Sequence, residues 1–335
     1  MADIFSIPVK TTINRTLQAK SIMIVGKSKS GKSTIAAQAP RPIFLMTENG
    51  GEGLTGFTPV PITSWVEFKN VVNQLCTPKG RQNFDTVVID TYTNLILLLD
   101  KYVGQKMTTD KNTLDFGSDA DYGKGAKSMR NELGIQLQKL ANQGYLMLNI
   151  VHAEDKVDFE TGKAYIGTSL SNSLYGVAEK FVDQIVYLRR DEDKKGNIEH
   201  RIWFNSKGGF NGAGGRFTPK VDSVPCSYKN LEAAMLEAMD EIGETTGAKL
   251  VVNDGPSVQI EVIEAENLDM DAMKAEFSAM VQDLVNKSEN NIPAIQKVIT
   301  SILGPNKKAN DLVPGQEELL VEVIASLKNE FNIAE

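Results

Sequence analysis

The run Ser21-Ile22-Met23-Ile24-Val25, followed at once by Gly26-Lys27-Ser28-Lys29-Ser30-Gly31-Lys32-Ser33, constrains this chain more than any other stretch. A short apolar run giving way to G-x-x-x-x-G-K-S reads as a buried strand, a glycine-bounded loop and a helix start. Each part of the spacing meets a separate demand of an anion. Two glycines let the backbone wrap around it, successive backbone N–H groups then point inward, and the helix beginning near Lys32 adds the positive end of its dipole. Lys32 would reach the β- and γ-phosphates of a bound nucleotide, Ser33 would hold magnesium through its hydroxyl, and Thr34 would donate to the α-phosphate.

The rest of the composition is that of an ordinary α/β protein. Of 335 residues 41% are apolar and 24% charged, enough for one large domain and something smaller. No apolar segment follows Met1 and no run is long enough to span a bilayer, so a cytoplasmic location without membrane contact is expected. Cys76 and Cys226 lie far apart and make neither a disulfide framework nor a metal set. With His152 and His200 the only histidines, a zinc site is not expected. Charge divides the chain unevenly: residues 1–230 hold 29 Lys and Arg against 23 Asp and Glu, whereas residues 231–335 hold 7 Lys, no Arg and 20 Asp and Glu. A mildly basic body with an acidic end suits nucleic-acid binding by the body, or simply a soluble tail.

In chain order, Asp3-Ile4-Phe5-Ser6-Ile7-Pro8 is an apolar patch that covers its own domain or docks on a neighbouring subunit. Pro40 cuts the first helix short, and Pro42 to Thr47 reads as a buried strand with Glu48 at its end. Trp65 to Cys76 has helical amphipathicity. Phe84 to Asp90 is a β-branched run ending in an acid, a buried parallel strand that presents Asp90 at the carboxyl edge, where doubly wound sheets bind ligands. Asp90 is therefore the expected partner of Ser33 in holding magnesium. Thr91, not a second acid, follows it, so the carboxylate that activates water must come from elsewhere. Glu48 is the first candidate because parallel strand ends converge on one edge, and Glu52 is the second.

Further on, Tyr92 to Tyr102 and Ser128 to Gln143 read as helices, separated by a polar stretch, and Tyr145 to Val151 as a strand ending in His152. That histidine either senses the γ-phosphate and passes its state to the next loop or is satisfied by local backbone groups. Residues 153–179, followed by Lys180, carry Lys156, Lys163, Tyr165 and Tyr175 among glycines and serines. This suits a mobile segment that binds single strands by charge and stacking, and equally a hairpin turning at Glu160 to Lys163. Two strands, Asp183 to Asp191 and Glu199 to Lys207, form a hairpin with late cations; Lys207 would reach a nucleotide held by an adjacent subunit or is plain surface charge. Leu231 to Ile242 is a helix, residues 244–268 read as a linker, and residues 269–335 as a small acidic helical module.

The order of these elements (phosphate loop, Glu-ended strand, Asp-ended strand, polar-ended strand, glycine-rich loop, two-strand hairpin) resembles the RecA-like P-loop ATPase core. It is closest to the shortened recombinase-like AAA proteins of bacteriophages, some of which anneal single strands. The segment Gly176 to Arg190 is similar to the one after the second DNA-binding loop of RecA-type recombinases. The resemblance covers residues 18–220 and implies an α/β fold: a mainly parallel central sheet flanked by helices over residues 1–243, with the acidic module outside it. It implies ATP and magnesium as ligands, Glu48 as the water-activating residue with Lys32 and Lys207 stabilising charge, His152 as the sensor, and residues 153–179 as the DNA-binding loop. Single-stranded DNA and a homo-oligomer, filament or ring, are the implied partners. A loader or motor that acts on a helicase or single-strand-binding protein through the acidic module is the competing expectation.

Overall fold

The structure is a computed structural model and describes residues 12–48, 53, 55–108, 114–120, 123–158, 160–192, 196–252, 270–304, 308–312 and 317–331. In chain order the first half comprises β1 (Thr12–Asn14), β2 (Ser21–Gly26), α1 (Lys32–Ala36), β3 (Pro42–Met46), β4 (Thr58–Pro61), α2 (Trp65–Leu75), α3 (Pro78–Asn83), β5 (Thr86–Asp90), α4 (Tyr92–Met107) and α5 (Lys124–Asn142). Then come β6 (Leu146–Val157), β7 (Ala164–Thr168), α6 (Asn172–Ala178), β8 (Gln184–Glu192), β9 (Ile198–Trp203), β10 (Gly214–Gly215), β11 (Ser223–Pro225), α7 (Tyr228–Thr246) and β12 (Lys249–Val251). Three helices close the chain: α8 (Met270–Lys287), α9 (Ile292–Leu303) and α10 (Glu317–Glu330).

The main sheet runs β11-β9-β8-β2-β6-β5-β3-β4, with β10 beside β8 and β7 beside β6. From β8 to β4 all neighbours are parallel. β7, β9, β10 and β11 are antiparallel, so the sheet is mixed where a mainly parallel one was expected. The cause is connection length. Parallel neighbours need a crossover, whereas β6 to β7 and β8 to β9 are joined by turns too short for anything but a hairpin.

Strand alternation sorts the core into two layers. Met23, Val25, Leu45, Val87, Ile89 and Tyr187 face α2, α4, α5 and α6, while Ile22, Ile24, Phe44, Val88, Leu148 and Leu188 face α1 and α7. Each such side chain contributes about 1.5–3 kcal/mol on burial, and a one-residue slip would exchange the faces, so the register that places the strand ends is firmly set. Local signals fix the helix starts: Ser64 caps α2 through the Glu67 N–H, and Thr91 caps α4 through the Asn94 N–H.

The stretch expected as a linker, residues 244–268, begins as structure. α7 extends to Thr246, Gly247 at φ 70° ends it, and β12 pairs in parallel with β1. Arg15 reinforces this corner by pairing with Asp240 of α7 and donating its backbone N–H to the Val251 carbonyl at 2.7 Å. Residues 253–268 and the apolar N-terminal patch at Asp3 to Pro8 lie outside the described residues. α8, α9 and α10 enclose their own buried cluster around Phe277, Leu284, Ile295, Leu320 and Val323, against which Val66 of α2 packs. Glu322 of α10 meets Lys69 and Lys106 of the larger body, each at 3.4 Å.

Candidate nucleotide site

β2 ends at Gly26, in register with His152 of β6 on one side and Leu188 of β8 on the other. The loop that follows sits at the carboxyl edge of the parallel strands, and glycine is required at both its ends. A Cβ on Gly26 would fall well inside van der Waals contact of Ser30 Oγ and 3.1 Å from the Leu188 carbonyl oxygen, and Gly31 has φ +98°. Lys27, Ser28, Lys29 and Thr34 are exposed along the rim, while Ser30 and Lys32 are buried. The Lys32 ammonium donates to the carbonyls of Gly26 at 2.8 Å and Lys27 at 2.9 Å. Burial pushes its pKa below the ordinary lysine value, with the negative charges of Asp90 and Glu48 opposing the shift.

Ser33 and Asp90, 57 positions apart, meet: Ser33 Oγ donates to Asp90 Oδ2 at 2.6 Å. Burial raises the Asp90 pKa, the Ser33 bond works against that, and the charge of Glu48 adds to the rise. Among the described residues no group of three or more His, Cys, Asp or Glu is arranged to hold a metal. The Ser33 hydroxyl and the Asp90 carboxylate, brought together at the loop's mouth, are hard oxygens that fit magnesium, which keeps several waters and takes substrate phosphate oxygens as its other ligands. The cradle fits a polyphosphate too, since the buried Ser30 Oγ has no hydrogen-bond partner among the described residues and the loop backbone is free of side-chain bulk at Gly26 and Gly31.

Glu48 follows β3 by two residues and is pinned beside Asp90. Thr47 N–H donates to the Asp90 carbonyl at 2.8 Å, and Thr47 Oγ1 both donates to the Thr91 carbonyl and accepts from its N–H, each at 2.9 Å. The Asp90–Thr91 peptide is cis. Three donors converge on Glu48 Oε1: Thr91 Oγ1 at 2.6 Å, Asn94 Nδ2 at 3.0 Å and His152 Nε2 at 3.0 Å. The His152 ring is held by this carboxylate rather than by local backbone groups, and its backbone N–H bonds Thr93 Oγ1 at 3.2 Å. Glu52 lies outside the described residues.

The expected cations are dispersed. Residues 153–168 form the hairpin rather than a continuous loop: β6 and β7 pair from Ala153↔Thr168 to Val157↔Ala164, and Asp158 closes the turn by accepting from the Thr161 and Glu160 N–H groups. Lys163 is exposed at its tip and Tyr165 is half-buried. Lys156 is engaged with the Leu170 carbonyl at 3.3 Å and Glu154 at 3.2 Å. Lys180 does not join them. It precedes β8 and lines a cavity of about 250 Å³ with Ser21 and Arg216, at the amino edge of the sheet opposite the phosphate loop. Lys207 is 71% exposed and pairs with Asp222 at 2.8 Å, holding that carboxyl below its usual range.

Four contacts were not anticipated. Thr91 and Asn94 reach Glu48; Lys27 pairs with Asp155 of the hairpin at 2.6 Å; and His200 Nδ1 donates to the Ser30 carbonyl at 3.0 Å, bracing the loop from β9. Of these only the Thr91 contact left a sequence trace, a hydroxyl placed as N-cap right after Asp90.

The chain is 24% identical, over 98% of its own length and 98% of the other's, to the SPbeta prophage-derived uncharacterized protein YorG of Bacillus subtilis (strain 168). Residues 18–217, from just before β2 to just after β10, match the AAA domain family, and the chain belongs to that family.

Proposed function

We propose that this chain binds ATP with magnesium, hydrolyses it, and uses the cycle to assemble on single-stranded DNA and promote annealing or recombination. The observation that carries the nucleotide part is the 2.6 Å contact between Ser33 of the glycine-bounded loop and Asp90 at the end of β5. Two hard oxygens delivered by separate elements to the mouth of an anion cradle are what a magnesium nucleotide needs. Bound magnesium would neutralise charge on the phosphate oxygens. Lys32 would turn from its loop carbonyls to the β- and γ-phosphates. Glu48, held through Oε1, would take a proton on Oε2 from the water that attacks the γ-phosphorus in line, while the bond to the β-phosphate oxygen breaks and ADP leaves. Lys207 lies in an exposed ion pair and would act on a nucleotide in a neighbouring copy. Glu48→Gln is expected to bind nucleotide as wild type does and to lose turnover; wild-type turnover in that variant removes Glu48 from the base role.

The DNA part rests on a basic body, on the exposed Lys163 at the tip of a hairpin tied to the phosphate loop through Lys27 and Asp155, and on the prophage origin of a full-length relative. Filter binding of a single-stranded oligonucleotide at low salt, with and without ATP, tests it, because phosphate contacts are strongest there. Nucleotide-dependent retention is expected. No retention would transfer the ATP cycle to a protein target and favour the loader reading. The reading goes with a cytoplasmic location, that of the host where the gene is phage-borne.

A further inference from the structure

We infer that Asn94 is a positioning residue for Glu48, fixing which carboxylate oxygen is presented to the attacking water; this rests on the reading of Glu48 as the base. A glutamate side chain has three rotatable bonds, and a carboxylate two residues past the end of its strand has no element of its own to hold it. The loss of side-chain freedom must be offset by bonds from elsewhere. They come from the first turn of α4. Thr91 donates to Oε1 at 2.6 Å and accepts the Asn94 N–H at 3.4 Å; Asn94 Nδ2 donates to the same Oε1 at 3.0 Å. α4 is a firm platform: Tyr92, Leu95, Ile96, Leu99 and Val103 are fully buried along its inner face. Asn94 is half-buried, its backbone is set by the Thr91 cap, and its amide lies over the strand ends.

The division of labour follows from donor chemistry. The Thr91 hydroxyl has a single hydrogen, given to Glu48, and it adjoins Asp90, so its place is tied to the metal side of the site. His152 sits on β6, which continues into the hairpin, so its place is tied to that element. Asn94 alone combines a side-chain N–H that cannot ionise with a place inside a helix anchored by its own buried face, away from both the metal side and the hairpin. With two fixed donors on Oε1, the carboxylate cannot turn over, and Oε2 is the oxygen left for a water proton. A base that is free to rotate would spend much of its time presenting an oxygen already occupied by donors, and small misplacements of a catalytic group cost orders of magnitude in rate.

The test uses the full chain and steady-state ATP turnover. N94A is expected to lower kcat by about tenfold, with KM and the equilibrium binding of a fluorescent ATP analogue within about twofold of wild type. N94D, which sets a second carboxylate against Glu48, is expected to lower kcat further. In an E48Q background, followed under single-turnover conditions with enzyme in excess so that the residual rate is readable, N94A is expected to add no further loss, because its effect passes through Glu48. Wild-type kcat in N94A, an equal fractional loss in the E48Q background, or nucleotide binding that weakens in step with kcat would each overturn the assignment. Wild-type turnover in E48Q would instead overturn the base itself, so the two failures are told apart.

Discussion

The tight turn where β2 enters the phosphate loop can be tested by adding one methyl group. In Gly26→Ala the new Cβ meets Ser30 Oγ inside van der Waals contact, the Leu188 carbonyl oxygen at 3.1 Å and Leu188 Cβ at 3.3 Å. Ser30 is buried, so its hydroxyl has little room to give, and Leu188 belongs to a neighbouring strand, so the loop must yield. Overpacking of this kind costs about 1–3 kcal/mol. The structure also says where that cost arises. Ser30 Oγ has no partner among the described residues, so Ser30→Ala on its own should be neutral or stabilise by up to about 1 kcal/mol. In the G26A/S30A double variant the worst contact is gone while the two with Leu188 remain, and roughly half the loss should be recovered, a coupling of about 1 kcal/mol. Urea unfolding of the four proteins, compared through midpoints at constant slope, measures it. A stable Gly26→Ala, or losses that merely add in the double variant, would refute the claim that the turn is closed by Ser30 packing on the bare Gly26 backbone.

Two further outcomes are expected besides those already given for Glu48 and Asn94. Asp85, hydrogen-bonded by Arg41 and flanked by Arg81, has its pKa held below the ordinary value, so its contribution to stability is full above about pH 4 and fades as pH falls through the lowered folded value. Asp85→Asn should therefore be less stable than wild type at pH 7, with the gap closing in acid; a gap that stays constant down to pH 2 would contradict the pairing. For DNA, Lys163→Ala should reduce the slope of log affinity against log salt by about 0.7, the value for one phosphate contact on a single strand, and an unchanged slope would remove Lys163 from the interface.

The parts of the site written in local sequence were readable before any coordinates. A glycine-bounded loop after an apolar run, and acids at the ends of β-branched runs, are patterns in which each residue's neighbours in sequence are also its neighbours in space. Once parallel strands are assumed, Ser33, Glu48 and Asp90 must converge on one edge. Asn94 was not readable, because a helical asparagine is as ordinary on a solvated surface as over a carboxylate, and only the crossing of α4 over the end of β3 decides between them. Lys180 shows how sequence proximity can mislead about place. It is close in sequence to the hairpin, but the chain passes through α6 in between and returns to the amino edge, so proximity in sequence became separation by the length of a strand. β12 was hidden for a related reason: a three-residue pairing has too little periodicity to stand out, and its partner is more than 200 residues away.

β6 is the longest strand of the sheet, twelve residues without a break, and it holds His152 against Glu48 midway along its course before leaving the sheet for the hairpin. From His152 to Val157 it extends by roughly 16 Å at 3.3 Å per residue. The first arm of the hairpin and the residue that touches Glu48 are thus one uninterrupted element, and the two ends of the site share a single strand.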